Sequence, residues 1–171
     1  VPRQILREDG TLVGKFTLLS SEQIKSLYRF MILSRAFDDA ALKLQRQGRL
    51  GTYGSVRGQE ASQVGSAFAL QKEDWLVPSF RENASCITRG MPMKGLFQYW
   101  GGDERGSDFA VPRHDFPICI TIGAHVTHAV GAAYAMKLRR EPRVAVCALG
   151  DGATSKGDLY EGLNAAGIWQ L

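Results

Sequence analysis

The sequence is poor in the features that mark membrane, nucleic-acid and disulfide-stapled proteins. No uninterrupted apolar run approaches the ~20 residues of a membrane span, so no membrane partner is expected. Charge of one sign is not in great excess: 21 Lys and Arg stand against 17 Asp and Glu, a net +4. That balance helps attract an anionic ligand, but it is too small and too scattered for a nucleic-acid partner. The densest basic run, Lys137, Arg139, Arg140 and Arg143, is broken by Glu141 and reads as cations at a helix C-terminus beside a solvated turn. Only three cysteines occur, Cys86, Cys119 and Cys147, without metal-ligand spacing. They are expected as buried reduced thiols in a reducing compartment. The opening VPRQILREDG carries no signal-peptide pattern, and there is no internal repeat or low-complexity segment. What is present is 171 residues, 44% of them hydrophobic, which suits one globular domain with a real core.

Residues 1–20 read as an extended arm with a turn at Asp9-Gly10, ahead of a domain over residues 21–171. Ser20 and Gln23 have capping-box spacing, and Ile24, Leu27, Met31, Phe37, Ala41 and Leu44 recur near helical intervals up to a stop at Gly48. The loop RLGTYGSVRG is rich in glycine. GQEASQVGSAFAL predicts a helix with Ala61, Val64, Gly65 and Phe68 on one face, and DWLVPSF a strand ending at Phe80-Arg81. Helices are expected over Glu82 to Arg89 and Met93 to Trp100. GGDERGSDFAVPRHDFP has no periodicity, a loop of a length that is often functional or mobile. ICITIG is a short β-branched run, and AHVTHAVGAAYAMKLRR an Ala- and Gly-dense helix. RVAVCALG is a continuous apolar run that suits a parallel strand buried on both faces. KGDLYEGLNAAGIWQL is helical again. Strands alternating with helices predict an α/β fold, a mostly parallel sheet flanked by helices, with ligands beyond the carboxyl ends of the strands.

Asp151 occupies such a strand end, between Gly150 and Gly152. The glycines allow a ligand close to the backbone, and a following helix points free N–H groups at the same place. A carboxylate beside a phosphate repels it unless a cation lies between, so a divalent ion such as magnesium bridging Asp151 to a phosphorylated cofactor fits the pattern. The bland alternative, a tight turn with an Asp cap, is common for GDG alone. Arg81 ends the neighbouring PSFRE strand and suits forked contact with phosphate, or else a surface ion pair with Glu82. His125 and His128, one turn apart, suit proton transfer or a structural role. Ile120 and Ile122 read as ordinary core.

Four blocks in order carry a stronger signal: LQRQGRLGTYGSVRGQEASQVGSAFAL, PSFRE, GAAYAMK and GDGATSKGDLYEGLN. From about Phe16 onward the chain resembles the alpha subunit of the thiamine-diphosphate-dependent decarboxylating component of 2-oxo acid dehydrogenase complexes, of the bacterial pyruvate dehydrogenase type. The resemblance implies the thiamine-diphosphate-binding fold, with Asp151 as a ligand of Mg2+ and the backbone of Gly152 and Ala153 at the diphosphate. It implies Arg81 on the diphosphate and Phe80 where a tyrosine is usual, without the hydroxyl that would bond the cofactor. It sets Ile120 and Ile122 against the aminopyrimidine ring, Ile122 bending the cofactor so that its amino group reaches the thiazolium carbon. It sets His128 near the active site. Relatives have Thr-Gln where Ala124 and His125 stand, so a potassium ion held there in branched-chain enzymes is not expected.

The implied activity is oxidative decarboxylation of pyruvate with acyl transfer to a lipoyl group. Branched-chain 2-oxo acid dehydrogenase and an acetoin-cleaving relative are the alternatives. The implied partners are a beta subunit in an alpha2-beta2 heterotetramer, a lipoyl-bearing acyltransferase component and a 2-oxo acid substrate. The family continues past GIWQL to an Asn-Asn pair with further magnesium ligands. The chain is therefore expected to be an N-terminal fragment, with an incomplete fold and little activity alone. From other classes, a non-catalytic structural piece and an unrelated phosphate-binding module stay open. The expected compartment is the bacterial cytoplasm, or the mitochondrial matrix for a eukaryotic source.

Overall fold

The computed structural model describes residues 4–14, 18–108 and 114–171. Residues 1–3 and 15–17 of the N-terminal arm and residues 109–113 of the aperiodic loop lie outside them. Within the arm, Asp9-Gly10 turns the chain so that Leu6 and Leu12 form an isolated antiparallel bridge.

Helix α1 spans Ser21–Arg46 and starts where the sequence places it. Gln23 N–H donates to Ser20 Oγ, and Ser20 N–H donates back to the Gln23 side chain, so two free backbone donors are satisfied together. Just past its end Gly48 adopts φ +70°, the left-handed conformation that stops a helix. Phe37 and Ala41 are buried, Leu27 and Met31 are half-buried against a second small cluster around Val56 and Val64, and Ile24, in the first turn, is exposed.

Helix α2 (Glu60–Ala69) follows the glycine-rich loop. Its buried face is Glu60, Gln63, Val64 and Ala67, and Ala61 and Gly65 are exposed. The expected apolar face is thus rotated, because two polar side chains there have fixed partners. Glu60 pairs with Arg35 and accepts from Gly58 N–H. Gln63 bonds the backbone of Arg81 and Ala84.

Strand β1 (Trp75–Val77) pairs in parallel with β2 (Ala145–Cys147), Leu76 opposite Val146. The α/β class with a parallel sheet is as read. Both strands are shorter than the apolar runs that announce them. Pro78 ends the regular run of β1, yet its carbonyl still accepts from Cys119 N–H, and Ser79 bridges Cys119 in parallel. ICITIG therefore contributes one bridge rather than a strand. The β2 run is half-buried, not buried on both faces, with Val144 and Leu149 exposed. Its pairing is with β1 on one edge, and α5 packs against it.

Helices α3 (Asn83–Thr88) and α4 (Met93–Trp100) close the main core with α1. Phe37, Tyr53, Leu76, Ile87, Leu96 and Trp100 meet there, and Trp100 Nε1 donates to Asn83 Oδ1 at 2.9 Å. A 3-10 turn at Glu104–Ser107 folds back onto α4. A Cβ at Gly106 would stand 2.3 Å from Tyr99 N and 2.4 Å from Gly95 O, so only glycine fits against the α4 backbone. Gly106→Ala is expected to lower stability by about 1–3 kcal/mol, read as an earlier midpoint in urea unfolding.

Helices α5 (Ala124–Leu138) and α6 (Gly157–Trp169) pack together beside β2. A Cβ at Gly162 would come within 2.9 Å of Val126 Cγ1, so the two helices approach closely at that glycine. Lys137 lies in the last turn of α5, as read for the basic run, while its ammonium donates to the Trp169 and Gln170 carbonyls at the end of α6. Cys86 is buried, Cys119 and Cys147 are half-buried, and all three are free thiols. Burial pushes the Cys86 and Cys147 thiols above their ordinary range and keeps them protonated. Among the described residues no helix is long and apolar enough to cross a membrane.

Candidate functional site

A cleft of about 540 Å³ opens beyond the carboxyl ends of β1 and β2, where parallel sheets bind ligands. Six of the residues that the family resemblance assigns to the site line it: Phe80, Arg81, Ile122, Asp151, Gly152 and Ala153. The turn after β1 supplies the first two, the approach to α5 the third, and the turn after β2 the rest.

Asp151 opens a 3-10 turn, Asp151–Ser155, which intervenes before α6 begins at Gly157. The expected direct strand-to-helix junction is thus replaced by a tighter turn. Gly150 takes the cap position, and no side chain caps the turn. The Asp151 carboxylate is exposed and has no hydrogen-bond or ion-pair partner among the described residues, so the bland capping role fails. Beside it, a Cβ on Gly152 would meet nothing within 4 Å, which leaves open space against the backbone. Ala153 is buried, and its N–H is used within the turn, donating to Gly150 O. Of the two expected backbone contacts, Gly152 is the one with a free face.

Arg81 is held from two sides. Its Nη1 donates to Ser55 O at 2.7 Å, and its own carbonyl accepts from Gln63 Nε2 at 3.1 Å. The guanidinium lies over the Phe80 ring, 5.2 Å from the centroid, so Phe80 packs on the cation without a hydroxyl to offer a ligand. The ion pair with Glu82 suggested by the bland reading is not formed. Glu82 is buried and accepts from Ser79 N–H at 2.7 Å, which fixes the turn that carries Phe80 and Arg81.

The loop behind Arg81 hangs on Asp38, which is fully buried. Its carboxylate accepts from Tyr53 Oη at 3.0 Å, Ser55 Oγ at 2.7 Å and Val56 N–H at 2.7 Å. Burial, with the Asp38 carboxylate beside it, holds the Tyr53 phenol well above its ordinary range, so it remains a donor.

Ile120 and Ile122 are 54% and 47% exposed, so neither is the core residue that an apolar run suggests. Ile122 lines the cleft and Ile120 does not. His128 is also outside the lining: it is exposed, with its ring against Phe116. His125 occupies the cleft wall instead, 1% exposed, with Nε2 2.8 Å from Ala148 O. A carbonyl can only accept, so Nε2 carries a hydrogen. Nδ1 is buried without a partner among the described residues. The sequence had little to separate the two histidines, since both stand in the first turns of the same Ala-rich helix. Among the described residues no cluster of three metal-ligating side chains occurs.

The family model of the dehydrogenase E1 component matches residues 28–171. The pyruvate dehydrogenase E1 component subunit alpha of Mycoplasma genitalium is 39% identical over 168 residues, 96% of this chain and 47% of that protein. The protein of the same name from Bacillus cereus is 39% identical over 98% of this chain and 46% of its own length. The Bacillus subtilis one is 38% identical over the same shares. The chain thus spans about half the length of the curated relatives it matches.

Proposed function

The chain belongs to the dehydrogenase E1 component family, and from that premise we propose that it serves as the alpha subunit of a thiamine-diphosphate-dependent pyruvate dehydrogenase. The observation that carries the reading is the unpaired Asp151 carboxylate at a strand end, sharing a cleft with the Arg81 guanidinium. Opposite charges so placed suit a diphosphate and a cation together. The names of the relatives, subunit alpha of a pyruvate dehydrogenase component, support pyruvate as substrate and a beta subunit as partner. An alpha2-beta2 heterotetramer, an acceptor lipoyl group on a separate acyltransferase component, and a bacterial cytoplasmic location complete the proposal.

The residues fit the cofactor. Magnesium is usually held by one or two carboxylates plus phosphate oxygens and water, and Asp151 offers one free carboxylate. The open face of Gly152 lets a diphosphate reach the backbone. Arg81 retains guanidinium donors beyond the one spent on Ser55. Bound there, thiamine diphosphate supplies the thiazolium that accepts the electron pair left when carbon dioxide departs. The chain's own part is to hold the charged end and shape the wall. Asp151 would anchor the metal, Arg81 and Gly152 the phosphates. Ile122 would press on the rings from the wall it lines, with Ile120 farther out on the same segment. The exposed imidazole of His128 is assigned to the substrate side.

The test is carbon dioxide release by the assembled alpha–beta enzyme, with pyruvate and with 3-methyl-2-oxobutanoate as competing substrates. Faster turnover of pyruvate, dependent on thiamine diphosphate, is expected. Preference for the branched acid would overturn the substrate assignment.

A further inference from the structure

Asp38 is a carboxylate at the middle of α1 with 0% exposure. Such a group is costly to bury unless its oxygens are hydrogen-bonded. Here all three donors, Tyr53 Oη, Ser55 Oγ and Val56 N–H, come from one short loop. A core built for burial alone would be served by an apolar side chain at this position. Three bonds converging from one loop fix the path of that loop instead.

The path matters because of Ser55. Its hydroxyl donates to Asp38 Oδ2 at 2.7 Å, while its carbonyl accepts from Arg81 Nη1 at 2.7 Å. One residue therefore joins a buried anion to the cation that lines the cleft. Gln63 holds the Arg81 backbone from the other side. An arginine left free would lose rotamer freedom on binding a ligand, and one held beforehand does not.

We propose that Asp38 is a positioning residue for phosphate recognition, setting the Arg81 guanidinium at the cleft through Ser55. This rests on the reading of the cleft as a diphosphate site. Asp38 touches no ligand in this scheme, and it acts by the order it imposes on the loop.

The experiment is a double-mutant cycle in the assembled alpha–beta enzyme, reading the Kd for thiamine diphosphate with Mg2+ by calorimetry and the thermal midpoint alongside. Asp38→Ala is expected to weaken binding by up to about tenfold, the loss for one side chain ordered only on binding. Asp38→Asn still accepts from Tyr53 and Val56 but turns an NH2 donor toward Ser55 Oγ, so it is expected to recover only part of that affinity. In an Arg81→Ala background, Asp38→Ala should add almost nothing, because the group it positions is gone. Equal losses in both backgrounds, or a lowered midpoint with unchanged Kd, would overturn the inference and leave Asp38 a structural residue. Should Asp38→Ala not yield folded protein, Ser55→Ala removes one link and runs through the same cycle. Arg81→Ala by itself separates the two claims. If it weakens binding and the Asp38 variants do not, the diphosphate site stands and the relay falls. If it leaves Kd unchanged, the diphosphate site falls and the relay with it.

Discussion

Asp151→Ala is expected to abolish metal-dependent binding of thiamine diphosphate, raising its Kd by at least about 100-fold, since weakening even an outer partner of a metal site costs 10–100-fold. The residue makes no bond within the fold that its loss would break: it caps nothing, pairs with nothing among the described residues and stands exposed at the mouth of a turn. Thermal stability without cofactor should therefore barely move. That combination, an intact fold and lost affinity, separates a ligand from a turn residue. Asp151→Asn keeps the size and removes the charge, so it should resemble the alanine variant in magnesium dependence. A calorimetric titration with and without Mg2+ reads both. Unchanged affinity in Asp151→Ala would remove the carboxylate from the site.

Asp115→Ala is expected to have the largest effect on stability. Asp115 and Arg89 form an ion pair at 3.0 Å with side chains 1% and 6% exposed. Arg89 also donates to the Gln71 and Asp74 carbonyls, and Asp115 accepts from Leu76 N–H. The pair thus ties the return of the long aperiodic loop to the first residues of β1. Removing one partner leaves the other charge buried without its counter-charge, a loss of about 3–5 kcal/mol. Arg89→Leu should cost a similar amount, and the double variant less than the sum, because neither charge is then left alone. Urea unfolding measures all three. The consequence reaches the cleft, because the segment held at Asp115 runs on through Cys119, bridged to Ser79, to Ile122.

Local rules were readable where a few neighbouring residues decide the outcome. The Ser20–Gln23 capping box starts α1 as its spacing predicts, and Met93–Trp100 is helical to the residue. Long-range rules were not. RVAVCALG has the composition of a strand covered on both faces, yet burial depends on what lies over it, and three half-buried residues form the strand. GQEASQVGSAFAL shows its small residues openly, but the turn of the helix is set by Gln63 and Glu60 finding partners far along the chain. Of the site, Arg81 and Asp151 were legible because glycine, charge and strand end coincide. Their meeting in one cleft needed the fold. Asp38 was invisible, since nothing in the sequence of α1 announces three donors from a loop eighteen residues away.

Asp151 and Arg81 are proposed to hold the two charged parts of one ligand. The most direct measurement is an anomalous-difference map from crystals of the assembled enzyme grown with thiamine diphosphate and Mn2+, an oxygen-seeking stand-in for magnesium. The expected result is a metal peak about 2.1 Å from an Asp151 carboxylate oxygen, with the diphosphate against Gly152 and the Arg81 guanidinium. A metal peak elsewhere, or a diphosphate seated away from Arg81, would contradict it.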